Sequence, residues 1–130
     1  HRIRVHHLLT HTGATGNYQG HPAIDSVMGT ARTLDDLMPL VKARISVADS
    51  LGTRFSYSNS GYILLGKIIE TVTGQSYADV LQQRLLSPAG MSRTYLKPKG
   101  FVAPDEATPY HLLTDKAFRA TKDGQQVALS

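Results

Sequence analysis

The chain has 130 residues, of which 41% are hydrophobic and 18% charged, with a formal net charge of +4 and no cysteine. That length suits one compact domain, and the composition excludes a charge-driven disordered chain. No apolar run approaches the ~20 residues of a membrane-spanning helix. The missing cysteine excludes a disulfide framework, thiolate catalysis and a Cys-ligated zinc site.

The excess of positive charge has no pattern that points to nucleic acid. Arg32, Lys42, Arg44, Arg54, Lys67 and Arg84 stand singly, and the densest group, Arg93, Lys97 and Lys99, adjoins Pro98 and Gly100. A basic stripe along one element, or aromatics interleaved with the charges, would be the footprint of a nucleic-acid partner. Neither is present, and no such partner is expected.

Val5 to His11 (VHHLLTH) is predicted to make two helical turns, ended by the Gly13 and Gly16 region. The stretch from Gly13 to Thr30 reads as loop. Thr33 is then an N-cap ahead of Asp35 and Asp36, and Leu34, Leu37, Met38 and Val41 recur at helical spacing. Pro39 interrupts that pattern and predicts a kinked or short helix.

The strongest helix begins just after Tyr57-Ser58-Asn59 and runs to about Thr73, where Gly74 stops it. Tyr62, Ile63, Leu64, Leu65, Ile68 and Ile69 make its first half apolar nearly all round, which predicts burial. Gly61 and Gly66 cost about 1 kcal/mol each in helix propensity and read as points of close backbone approach. Ser76 and Asp79 form a capping-box pattern for a helix bearing Tyr77, Val80, Leu81 and Leu85 on one face, ended by Pro88 and Gly90.

From Lys97 the chain changes character. Pro98, Gly100, Pro104 and Pro109 are followed by an Asp123-Gly124 turn signal between Phe118–Thr121 and Gln125–Leu129, compatible with one hairpin. The expected organisation is a helical part over residues 1–96 and an irregular part over residues 97–130.

Most motifs that carry chemistry are missing: there is no GxSxG, HExxH, phosphate-binding loop or GxGxxG. His7 and His11 are four apart, but no third ligand accompanies them, so neither a metal site nor a cofactor is expected. The informative run is Gly52 to Gly66 (GTRFSYSNSGYILLG). A glycine turn feeds a short extended stretch, where residues two apart share a face, so Tyr57 and Asn59 are presented together at the positive end of a helix dipole. That placement suits acid–base chemistry on an anionic or acyl substrate. The plainer alternative makes Ser58 or Asn59 an N-cap and Tyr57 a packed aromatic.

The wider set of blocks is more specific. Leu8-Leu9-Thr10-His11-Thr12, then GTRFSYSNSGYILLG, then Ile68-Ile69-Glu70 with Val72-Thr73-Gly74-Gln75-Ser76-Tyr77, and finally Leu86-Ser87-Pro88-Ala89-Gly90-Met91 resemble the serine β-lactamase-like family in order and spacing. The nearest branch comprises the class C β-lactamases and their related penicillin-binding-protein-like D-peptidases and esterases. The resemblance covers roughly residues 3 to 95. It implies a mainly α chain, the helical subdomain of the β-lactamase/transpeptidase-like fold, with a short C-terminal hairpin leading toward a sheet.

By the same resemblance, Tyr57 is the catalytic tyrosine that moves protons between a nucleophilic serine and the leaving group, and Asn59 contacts the amide side chain of the substrate. The family's nucleophile and lysine come from an upstream S-x-x-K motif, and a K-T-G or H-x-G motif follows on a later strand. No serine here has a lysine three positions on; Thr94 with Lys97 matches in spacing alone and lies downstream of Tyr57. His11-Thr12-Gly13 and Lys122-Asp123-Gly124 fit the third motif only in form. An ordinary tyrosine ionises near pH ~10, so a tyrosine base needs a cationic partner such as that lysine.

The chain is therefore expected to be part of a serine acyl hydrolase, silent by itself, whose periplasmic or secreted parent opens β-lactams or D-amino-acid peptides through an acyl-enzyme. Its partner would be a small-molecule or peptide substrate. Two alternatives stay open: a non-catalytic binding or assembly module on the same scaffold, and an esterase parent. The apolar start of the Tyr62 helix predicts self-association where its surface is uncovered.

Overall fold

A computed structural model describes residues 2–45, 51–98, 100–101 and 103–104 in full, and the backbone of three strands between residues 110 and 129. The chain divides into two compact units, His1–Tyr95 and Leu96–Ser130.

In the first unit, α1 spans Val5–Leu9 and stops two residues short of the expected end. The reason is local: His11 adopts a positive φ of 55°, which no right-handed helix can include. A 3-10 turn follows at Tyr18–Gly20, and then α2 at Ile24–Thr30, where loop was expected. The seven residues of α2 carry no side-chain cap and contain Gly29, so the usual start signal is missing. Ile24 and Val27, three apart on one face, pack against the core and hold the helix by tertiary contact instead.

The next helix, α3, spans Leu34–Arg44. Its start is the expected one: the Asp36 carboxylate accepts from the backbone N–H groups of Arg32 and Thr33, both at 2.8 Å, and Asp36 N–H donates to Thr33 Oγ1 at 3.4 Å. These bonds hold the Asp36 carboxyl below its ordinary range. Pro39 does not shorten the helix. It is exposed, so its missing N–H falls on the solvent side, while Leu37, Leu40 and Val41 are buried behind it. Those three and Tyr18 form the core, with Ala23, Ile24, Val27, Ala31, Ile45, Ile63 and Leu64 packed around them.

The fifteen residues Asn59–Thr73 form α4, opened by Ser58 as N-cap and closed by Gly74 in the left-handed conformation at φ 67°. Its first half is not buried as the composition predicts. Ile63, Leu64 and Leu65 are half-buried and Tyr62 is exposed, whereas the buried positions are the small ones, Ser60, Gly61 and Gly66. Small residues mark where other backbone and side chains come close. A Cβ on Gly66 would stand 2.9 Å from Leu34 Cδ1, but one on Gly61 would stand an ordinary 3.6 Å from Leu8 O and Thr15 Oγ1.

Ser76 opens α5 (Tyr77–Leu81): its Oγ accepts from Asp79 N–H at 3.1 Å and its hydroxyl donates to Asp79 Oδ2 at 2.6 Å. Tyr77 N–H donates to Glu70 Oε1 at 3.1 Å, tying this start to α4. The helix widens into a π-type turn over Gln82–Leu86 and ends in the turn containing Pro88 and Gly90.

The second unit holds a three-stranded antiparallel sheet in the order β1-β2-β3, with β1 Tyr110–Thr114, β2 Ala117–Lys122 and β3 Gln125–Leu129. Phe118 pairs with Leu129 and Ala120 with Val127, so the expected hairpin is the β2–β3 pair and a further strand precedes it. Tyr110 pairs with Ala120 across β1–β2, whose register slips between Leu112 and Thr114. The Asp123-Gly124 turn lies outside the described residues. Among those residues, helix predominates, and no helix is long and apolar enough to cross a membrane.

Candidate active site

The Tyr57–Asn59 segment is built against the loop that follows α1. Gly52, at φ 79°, turns the chain, and three backbone N–H groups then bind that loop. Gly52 donates to Thr12 O at 2.9 Å, Ser56 to His11 O at 2.8 Å, and Ser58 to His11 Nδ1 at 3.2 Å. The Leu8–Thr12 block and the Y-x-N block, separated by more than forty residues of sequence, are thus one structural unit.

Ser58 closes it. Its Oγ accepts from Thr15 Oγ1 at 2.9 Å and from Gly61 N–H at 3.2 Å, and its own hydroxyl donates to Gly16 O. Ser60, fully buried, accepts from Tyr18 N–H at 2.8 Å. The two serines therefore point inward as cap and tie, and the alternating residues 57 and 59 point the other way. The N-cap reading holds for Ser58, which leaves the Asn59 side chain to the outer face.

On that face Tyr57 is 60% exposed and is not a packed core aromatic. Its hydroxyl donates to Asn59 Oδ1 at 3.0 Å, and Asn59 Nδ2 donates to Gln19 Oε1 at 2.6 Å. Under the phenol lies the His11 imidazole, 4.6 Å between ring centroids and tilted by 39°. The same imidazole meets Tyr62 at 5.1 Å and Phe55 edge-on at 5.7 Å. The first turn of α4 carries no acidic residue, so the helix dipole presents an unopposed positive end beside these groups.

The structure brings the two sequence-predicted site residues into direct contact and adds two that sequence reasoning passed over. Gln19 sits on the 3-10 turn, where Asn17 Oδ1 accepts from its backbone N–H at 3.3 Å; an exposed amide on a turn has no spacing signal. His11 was visible in the Leu8–Thr12 block, but nothing in its spacing assigned it a contact.

The perturbed ionisable groups serve the scaffold. Lys67 is raised above the ordinary lysine range by its hydrogen bond to Asp35 at 2.7 Å, with Glu70 at 3.4 Å adding to it. His7 is lowered by desolvation and by the charges of His6 and Arg4, and its Nδ1 accepts from Arg4 N–H at 3.1 Å. With His7 and His11 each using Nδ1 as an acceptor, these rings are engaged by backbone; no group of three metal-ligating side chains occurs among the described residues.

Comparison with known proteins identifies the family and the fold. The family model described as Beta-lactamase matches residues 1–128. Penicillin-binding protein 4 of Amycolatopsis lactamdurans is 32% identical over 99 residues, covering 75% of this chain and 24% of that protein. A D-aminopeptidase of Gluconobacter oxydans is 34% identical over 68 residues, covering 52% of this chain and 13% of that enzyme. The crystal structure of a penicillin-binding protein from Bacillus halodurans superposes with a TM-score of 0.78 at 25% identity, over 97% of this chain and 41% of the other. The chain thus spans less than a quarter of the length of these two sequence relatives. A mainly helical part of the β-lactamase/transpeptidase-like fold, matched along nearly its whole length by one hydrolase family, leads to one conclusion: the chain belongs to the beta-lactamase family.

Proposed function

We propose that these residues supply the tyrosine–asparagine wall of a serine acyl-hydrolase site whose substrate is a β-lactam or a D-amino-acid peptide. The observation that carries this reading is the exposed Tyr57 hydroxyl in hydrogen-bond contact with Asn59, at the positive end of α4 and braced from below by His11.

In the reaction, a serine and a lysine from an S-x-x-K motif outside these 130 residues provide the nucleophile and its cationic neighbour. The serine oxygen attacks the substrate carbonyl as its proton passes through Tyr57 to the departing nitrogen; the C–N bond breaks, and water then cleaves the acyl ester. Asn59 turns its amide from Gln19 to the amide group of the substrate. The substrate class follows the relatives' names, penicillin-binding protein and D-aminopeptidase. Such a parent would act in the periplasm or after secretion.

Without the serine, the chain itself is silent. Incubation with a chromogenic β-lactam, a D-amino-acid anilide and a short-chain ester is expected to give no turnover, and turnover that disappears in Tyr57→Phe would overturn this. In a polypeptide that joins an S-x-x-K motif to these residues, Tyr57→Phe is expected to lower kcat by about 100- to 10,000-fold. Full activity in that variant would remove Tyr57 from the proton path.

A further inference from the structure

We infer that His11 is the positioning residue for Tyr57, clamping the backbone on both sides of it while its ring supports the phenol. Three contacts made by one residue carry this. The His11 carbonyl accepts from Ser56 N–H at 2.8 Å, just before Tyr57, and its Nδ1 accepts from Ser58 N–H at 3.2 Å, just after it. Between them, the imidazole lies 4.6 Å from the Tyr57 ring. A residue that fixes positions 56 and 58 leaves the backbone of residue 57 little freedom, and the ring contact restricts the side chain.

His11 holds this place in a conformation that its bulk disfavours. Its φ of 55° lies in the left-handed region, which β-substituted residues enter at a cost and retain only where their surroundings over-determine them. Asparagine tolerates that region better than histidine, yet has no ring to place under a phenol.

Nδ1 accepts the Ser58 N–H, which places the ring proton of the supporting tautomer on Nε2.

The inference builds on the reading of Tyr57 as the proton-moving residue, but its test needs no turnover. In the 130-residue chain labelled at backbone and imidazole nitrogen and at tyrosine ring carbons, a scalar coupling across the Ser58 N–H to His11 Nδ1 hydrogen bond and ring-to-ring Overhauser contacts between His11 and Tyr57 are expected. His11→Phe keeps a ring and removes the acceptor, and is expected to raise Ser58 amide exchange at least tenfold. His11→Asn places an acceptor oxygen near the Nδ1 position and is expected to restore most of that protection. Absence of that coupling, or of the ring contacts, in the unaltered chain would overturn the inference, even if both variants failed to fold. Loss of the Tyr57→Phe effect in the active polypeptide would instead overturn the catalytic reading and leave the clamp standing.

Discussion

Thr15 donates its hydroxyl proton to Ser58 Oγ at 2.9 Å, and both residues are only 3% exposed although 43 positions separate them. Ser58 also accepts from Gly61 N–H, as the N-cap of α4, and donates to Gly16 O. Ser58→Ala removes all three bonds and leaves a buried hydroxyl and a helix N–H without their partner. The expected loss is about 2 kcal/mol, summing a lost cap and an unsatisfied buried donor. Urea unfolding with an unchanged m-value would measure it; a loss below about 0.5 kcal/mol would show that the cap is dispensable.

The glycines of α4 should respond differently to an added side chain. Gly61→Ala adds a methyl group at ordinary contact distance and gains helix propensity, so stability should stay level or rise by a few tenths of a kcal/mol. Gly66→Val drives a branched side chain into Leu34, whose Cδ1 already stands 2.9 Å from the first added atom. Overpacking of this kind costs about 1–3 kcal/mol. Thermal unfolding of the two variants side by side tests the ranking, and equal midpoints would contradict it.

Acid should weaken the start of α3. Hydrogen bonds from Arg32 and Thr33 depress the Asp36 carboxyl below the ordinary aspartate value of 3.8, so the folded chain holds that proton less tightly than the unfolded one. The resulting stabilisation is present above the unfolded value and disappears as pH falls through the folded value. Asp36→Asn should flatten the dependence of the unfolding midpoint on pH in the acid range, below about pH 5. An unchanged profile would assign the acid sensitivity to other carboxylates.

The surface predicts association. Val72 is 80% exposed, Phe55 66%, Leu85 57% and Tyr62 51%, and apolar side chains in such number seek cover. Sedimentation velocity is expected to show an average mass that rises with protein concentration and a smaller rise for Val72→Glu. Monomer alone at several hundred micromolar, by order of magnitude, would contradict this.

The parts of the molecule legible in its sequence are those governed by local rules. The Thr33 cap and the Gly74 stop are each decided by residues within a few positions and occur as expected, and Ser58 caps α4 as the plainer alternative for that segment has it. The pairing of Tyr57 with Asn59 was legible for the same reason, since the two-residue period of extended chain puts them on one face. Where tertiary contact decides, the pattern was silent or misleading. Ile24 and Val27 make α2 a helix by packing on Leu37, Leu40, Val41 and Tyr18, with no cap to announce it. Pro39 signalled a kinked or short helix, yet α3 runs through it for eleven residues with the proline on the exposed side. The burial expected for Tyr62 required neighbours that the described residues do not provide. Gln19 and His11 reach the site only through folding of the loop between α1 and α2, and no spacing rule connects residues 11 or 19 with residues 57 to 59.

The ties between residues 11–16 and 52–61 close a loop that contains α2 and α3. The entropy of closing such a loop grows only with the logarithm of its length, so doubling it would add about 0.6 kcal/mol. The geometry of Tyr57 and Asn59 is consequently insulated from insertions within the excursion and exposed to any change at its two rims. Added length is therefore best tolerated at exposed turns of that excursion, while the helix face bearing Leu37, Leu40 and Val41 and the short stretches that knot the loop shut have to keep their geometry together.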